Sequence, residues 1–143
     1  MTEENVTALN EILDIYADDL SVAECSFEIM GQLLDRKYLK QRIDELHLKE
    51  LYIYGGGYLG IQLYYACNDL IRVPAVVDKK GHLQLDIKHI PVIGADRLKE
   101  VYKGEKIVVA SVRYYQEIRQ ELLSFISGNN IFFLGELLGG ALL

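Results

Sequence analysis

The stretch from Leu51 to Asp78, LYIYGGGYLGIQLYYACNDLIRVPAVVD, restricts the fold more than any other part of the chain. A short β-prone run, Leu51 to Tyr54, stops on a glycine cluster. Leu59, Leu63, Ala66, Cys67 and Leu70 then recur at helical spacing, and Val73 to Val77 is β-prone again and ends on an acid. Gly55, Gly57 and Gly60 keep the G-x-G-x-x-G spacing between strand and helix, and Asp78 follows about 20 residues later. Each glycine answers a separate steric demand. Gly55 lets the chain leave the strand sharply, Gly57 lets a pyrophosphate approach the backbone, and Gly60 lets the helix pack close to the sheet. The start of that helix, Tyr58 and Leu59, adds free N–H groups and a partial positive charge. The expected ligand is a nucleotide; the competing reading is a structural turn in a non-binding α/β domain.

Asp78 sits where a carboxylate can accept hydrogen bonds from ribose hydroxyls. That favours NAD over NADP, because a 2′-phosphate is repelled. Lys79 and Lys80 follow directly, and either soften this preference or stand as solvated turn lysines. Ser111, Val112 and Arg113 come just past a later strand, KIVVA, on the far side of the crevice where ligands of open α/β sheets bind. Arg113 is a candidate to hold a phosphate or a sugar carboxylate bidentately. Tyr58 either flanks the diphosphate or packs on a neighbour. The candidate nucleotide site is therefore Gly55, Gly57, Tyr58, Leu59, Gly60, Asp78, Lys79, Ser111 and Arg113.

Before this unit lie about 48 residues that it does not need. Val6, Leu9, Leu13, Tyr16 or Ala17, and Leu20 predict an amphipathic helix over Thr2 to Leu20. Ser21-Val22-Ala23-Glu24 matches a capping box and predicts a fresh helix start, with a further break near Gly31 or Asp35. Residues 1–48 read as a structural cap on the sheet or as an arm for homodimerisation or for a partner catalytic domain. Downstream, His82 to Ile87 alternates and predicts an extra strand or hairpin arm, and Ile90 to Ile93 a short strand. A small helix with Leu98 and Val101 stops at Gly104. Lys106 to Ala110 is a buried strand. A helix with Tyr115, Ile118, Leu122 and Ile126 stops at Gly128, and Ile131 to Leu134 is the last strand before a glycine-rich apolar tail. This order predicts an α/β fold, an open, mostly parallel sheet with strand order 3-2-1-4-5 and helices on both faces. Residues 49–143 form that domain.

Other chemistry finds little support. A chain of 143 residues suits one domain, and its net charge of −6 with scattered basic residues argues against nucleic acid. Cys25 and Cys67 are far apart and read as reduced core thiols, which with no signal peptide and no membrane-length apolar run predicts a cytoplasmic protein. His47, His82 and His89 lack metal-ligand spacing. Tyr102 and Lys106 have Y-x-x-x-K spacing, but Gly104 interrupts them. No catalytic residue is assigned.

The segments LYIYGGGYLGIQLYYA, AVVDKK, IPVIGADRL and KIVVASVRYYQEIRQEL, in that order, resemble Rossmann-like domains of bacterial polysaccharide-biosynthesis proteins. Among these are the N-terminal domains of sialic-acid-type sugar O-acyltransferases, nucleotide-sugar dehydratase and epimerase relatives, and modules attached to glycosyltransferases and methyltransferases. The resemblance covers roughly Lys49 to Leu134. It implies binding of NAD(P) or a nucleotide-sugar at Gly55, Gly57, Gly60 and Asp78. Hexapeptide repeats and a sugar-binding domain are both missing, so a binding module without its catalytic partner is expected. Gly56 stands where such families often carry alanine, which reads as a minor change. The alternatives are a regulatory or scaffold domain oligomerising through its N-terminal helices, and an S-adenosylmethionine-dependent methyltransferase.

Overall fold

The computed structural model of the protein describes residues 2–139, and residues 11–18 by their backbone alone. The elements are α1 (Glu3–Leu33), α2 (Arg36–Glu45), β1 (Leu51–Tyr54), α3 (Tyr58–Cys67), β2 (Val76–Asp78), β3 (Val92–Gly94), α4 (Ala95–Val101), β4 (Lys106–Val109), α5 (Tyr115–Leu122), β5 (Ile131–Phe133) and α6 (Leu134–Leu137). The five strands form one all-parallel sheet in the order β3-β2-β1-β4-β5, as the element order predicts. The order reverses at β1, whose neighbours are β2 on one side and β4 on the other.

Parallel strands buried on both faces need continuous apolar runs, and β1 and β4 supply them. All four β1 residues are buried, as are Ile107, Val108 and Val109. Alternation along β1 sends Ile53 towards α3, where it lies under Gly60, and Tyr54 towards α4 and α5 on the opposite face. The second half of α1 and all of α2 join α3's side. Cys25, Ile29, Leu33, Leu39 and Ile43 belong to the same buried core as the sheet. Each such side chain contributes roughly 1.5–3 kcal/mol on full burial.

The N-terminal helices are also tied to the far end of the chain. Arg42 of α2 donates from Nε to Leu137 O at 3.0 Å and from Nη2 to Glu136 O at 3.3 Å, and Tyr38 Oη donates to Leu138 O. These carbonyls lie at the end of α6, where a cation is favoured by the helix dipole. The core of the sheet and the segment before it are therefore continuous.

Five expectations need correction. No helix start occurs at Ser21, because α1 runs unbroken to Leu33. A capping box stabilises a start only where the preceding chain leaves the helix, and nothing from Leu9 to Ser26 is a glycine or proline. The break does come at Asp35, whose side chain accepts from Tyr38 N and caps α2. The second strand begins at Val76 rather than Val73, leaving Pro74 outside the ladder.

His82 to Ile87 is an irregular loop, since β3 already occupies the outer edge of β2. Its alternation serves another contact: Leu83 and Ile87 pack on the core while Gln84 N donates to Gly56 O at 2.7 Å. Finally, α5 ends at Leu122, Gly128 opens a 3-10 turn, and Leu134 starts the buried helix α6 instead of ending β5. Residues 140–143 of the apolar tail lie outside the described residues.

Candidate functional site

At the C-terminal ends of β1 and β4 the sheet opens into a crevice of about 460 Å³. Its floor is Tyr54, Gly55 and Gly57, its walls Asp78 and Lys79 after β2, Ala110 and Ser111 after β4, and Tyr114, Glu117, Ile118 and Glu121 of the α5 segment. This is the switch point of the strand order, where open α/β sheets hold their ligands. Of the residues singled out from the sequence, Gly55, Gly57, Asp78, Lys79 and Ser111 come together here.

The glycines behave in three different ways. Gly55 has φ +137°, outside the range L side chains adopt readily, and a Cβ there would lie 3.0 Å from Ala110 O. A Cβ on Gly60 would overlap Gly55 O outright and stand 2.9 Å from Gly55 C. That contact is the close helix-to-strand packing the spacing predicts. Gly57 is the N-cap of α3, extended (φ −86°, ψ −169°) and without a side chain to cap the helix. The first-turn N–H groups of a ten-residue helix therefore have no side-chain acceptor from their own cap.

Gly56, between them, is not a minor departure from alanine. A Cβ there would meet Asp78 Oδ1 at 2.8 Å, Asp78 Cβ at 3.1 Å and His82 O at 3.1 Å. Asp78 leans on the bare backbone of Gly56, and the loop carrying His82 and Gln84 covers it from outside. Asp78 Oδ2 also accepts from Lys80 N at 2.8 Å, an Asx-turn that fixes the carboxylate at the crevice edge. Asp78 is thus both the turn former and a wall of the crevice.

The remaining predicted residues divide. Lys79 Nζ lies 3.7 Å from Glu121 Oε1, and this pair separates the crevice from a second hollow of about 290 Å³ between α4 and α5. Both side chains are more than half exposed, so the pair positions rather than stabilises. Ser111 Oγ accepts from Tyr114 N at 3.2 Å and shapes the turn into α5, whose own N-cap is Tyr114. Tyr58 is exposed and Leu59 packs on the core, so neither side chain lines the crevice. Arg113 points away from it: its guanidinium pairs with Asp19 on α1.

Glu117 and Glu121 were not foreseen. They lie one turn apart on α5, beside the apolar stripe Tyr115–Ile118–Leu122, and become wall residues only because α5 is laid across the end of β4. With Asp78 they make the outer crevice acidic. Tyr54, at its floor, has its hydroxyl pKa raised by burial first and then by the negative charge of Glu121 and Asp78. The arrangement offers acceptors for hydroxyl or amino groups at one end and unpaired N–H groups for an anion at the other.

Among the described residues no group of His, Cys, Asp and Glu could hold a metal ion, and no helix is long and apolar enough to cross a membrane. Comparisons with protein-family models, with curated proteins and with solved structures found no match. The fold itself places the chain among open, doubly wound α/β domains with a glycine loop at the switch point.

Proposed function

We propose that the protein is a nucleotide-binding module, taking NAD(P) or a nucleotide-sugar in the β1–β4 crevice. The observation that carries this reading is Gly57, an uncapped helix N-terminus on the floor of a crevice at the switch point. In this reading a phosphate meets the N–H groups of Tyr58, Leu59 and Gly60, and Asp78 accepts from ribose or sugar hydroxyls. Glu117 and Glu121 favour a hydroxyl-rich part over a second anion, which supports NAD over NADP and a nucleotide-sugar over a nucleoside triphosphate. With no nucleophile or acid–base pair assigned, the module binds and a partner domain of glycan or polysaccharide biosynthesis performs the reaction.

A thermal-shift panel of NAD, NADH, NADP, UDP-sugars, AMP and S-adenosylmethionine tests this. A ligand at about 100 times its Kd stabilises the folded state by about 2.7 kcal/mol, enough to move Tm by several degrees. At least one NAD or nucleotide-sugar should do so, and Gly57→Val should abolish the shift. Flat melting curves with every nucleotide overturn the reading, and a shift by S-adenosylmethionine alone replaces it with the methyltransferase class.

A further inference from the structure

The last residue of β1 carries a polar group that the fold leaves without a partner. Tyr54 is 4% exposed, yet no described residue shares a hydrogen bond with its hydroxyl. Such a group costs stability in a core, and it marks a place where something outside the chain completes the bond. Tyr54 borders both the β1–β4 crevice and the smaller hollow between α4 and α5. Burial, Glu121 and Asp78 raise the pKa of this hydroxyl, which keeps it a donor.

The hollow is walled by Ala95, Leu98, Leu122 and Phe125, with Lys79 and Glu121 at its mouth. At about 290 Å³ it is at the small end of ligand pockets, and it suits one ring system rather than a whole dinucleotide. The pair at the mouth is a weak barrier, since both side chains are more than half exposed. Lys79 Nζ, 3.7 Å from Glu121 Oε1, is beyond hydrogen-bond distance, so the carboxylate keeps its capacity to accept.

We propose that the hollow receives the base of the nucleotide, Tyr54 donating to a ring nitrogen and Glu121 accepting from an exocyclic amino group. This rests on the nucleotide reading above and adds the class of base, an amino-substituted nitrogen heterocycle such as adenine or cytosine. The succession of residues supports it. Gly57 and Asp78 border only the crevice, Lys79 and Glu121 border both spaces, and the apolar walls Ala95 and Leu98 border only the hollow. Phosphate, ribose and base follow one another in the same order along a nucleotide. An amino group brings N–H donors to Glu121, whereas a keto oxygen there would set its lone pairs against the carboxylate.

Titration calorimetry of the full chain with AMP, IMP, CMP, UMP and ribose 5-phosphate tests this. AMP should bind at least about tenfold tighter than IMP, and CMP than UMP, the loss expected when a hydrogen bond to a charged group becomes a mismatch. Tyr54→Phe should weaken AMP at least about tenfold and leave ribose 5-phosphate unchanged. It should also keep the parental Tm, because the hydroxyl has no partner within the described chain to lose. Glu121→Gln should bring AMP and IMP to similar affinity, since an amide can turn to donate to a keto oxygen. Equal or reversed affinities within the pairs, or AMP binding alike to the parent and to Tyr54→Phe, overturn the inference and leave the nucleotide reading standing. If neither ribose 5-phosphate nor any of the four nucleotides binds, the nucleotide reading falls first and this inference with it.

Discussion

Gly56 and Gly57 are neighbours in one loop, yet they belong to two different surfaces. The side towards β2 is closed: Asp78 rests on Gly56, Gln84 N is bonded to Gly56 O, and His82 O lies overhead. The side towards β4 is open, and there Gly57 borders the crevice with the extended, uncapped start of α3. The lesson is that one glycine motif serves two purposes here. Part of it is packing that the protein needs in order to fold, and part borders open space in the crevice.

Substitutions can break this contrast, starting with the harshest. Gly60→Ala should cost at least ~3 kcal/mol or prevent folding, since its Cβ overlaps backbone that cannot rotate away. Urea unfolding monitored by circular dichroism measures it, and a variant of parental stability would contradict the packing described. Gly56→Ala comes next, with a loss of about 1–3 kcal/mol from overpacking against Asp78 and His82 O. In a double-mutant cycle with Asp78→Ala the two changes should couple by more than ~0.5 kcal/mol. Strict additivity would mean that Asp78 does not rest on Gly56.

Gly57→Ala should leave stability within about 0.5 kcal/mol, because its φ suits any residue and its one neighbour is the flexible tip of Gln84 at 3.3 Å. Nucleotide-induced stabilisation, by contrast, should shrink. A large stability loss here would erase the difference between the two sides. The smallest effect concerns the crevice floor. Burial, Glu121 and Asp78 raise the pKa of Tyr54, so Glu121→Gln should bring its ionisation back towards the ordinary value. Ultraviolet titration against a Tyr54→Phe control reads the change.

The same raised pKa links to stability with a definite sign. A hydroxyl that ionises later in the folded state than in the unfolded chain favours folding fully below the unfolded value near 10. It loses that contribution as the pH rises from there through the folded value. Glu121→Gln should therefore reduce the alkaline fall in Tm slightly, and a steeper fall would reverse the assignment.

The strand order was legible because β1, α3 and β2 announce themselves by period and glycine spacing, and parallel connections leave few topologies. That Gly55, Gly57, Asp78, Lys79 and Ser111 line one crevice was legible for the same reason: the motif is local, and chain connectivity alone brings its parts to one edge. Arg113 was misplaced because its partner, Asp19, comes from a helix far away in sequence. Glu117 and Glu121 escaped because a helix's polar face acquires a role only from what lies opposite. The capping box at Ser21 misled because a short local signal competes with a whole helix, and the longer run of backbone hydrogen bonds prevailed.

The sequence by itself determined the parallel sheet, its order and the glycine turn at its switch point, since these follow from apolar periodicity and from what a missing Cβ permits. Tertiary structure decided which glycine is packed and which is open, which charges face the crevice, and that α1 continues past Ser21 with Cys25, Ile29 and Leu33 buried in the core. Those outcomes depend on atoms brought together from opposite ends of the chain, and no local pattern encodes such distances.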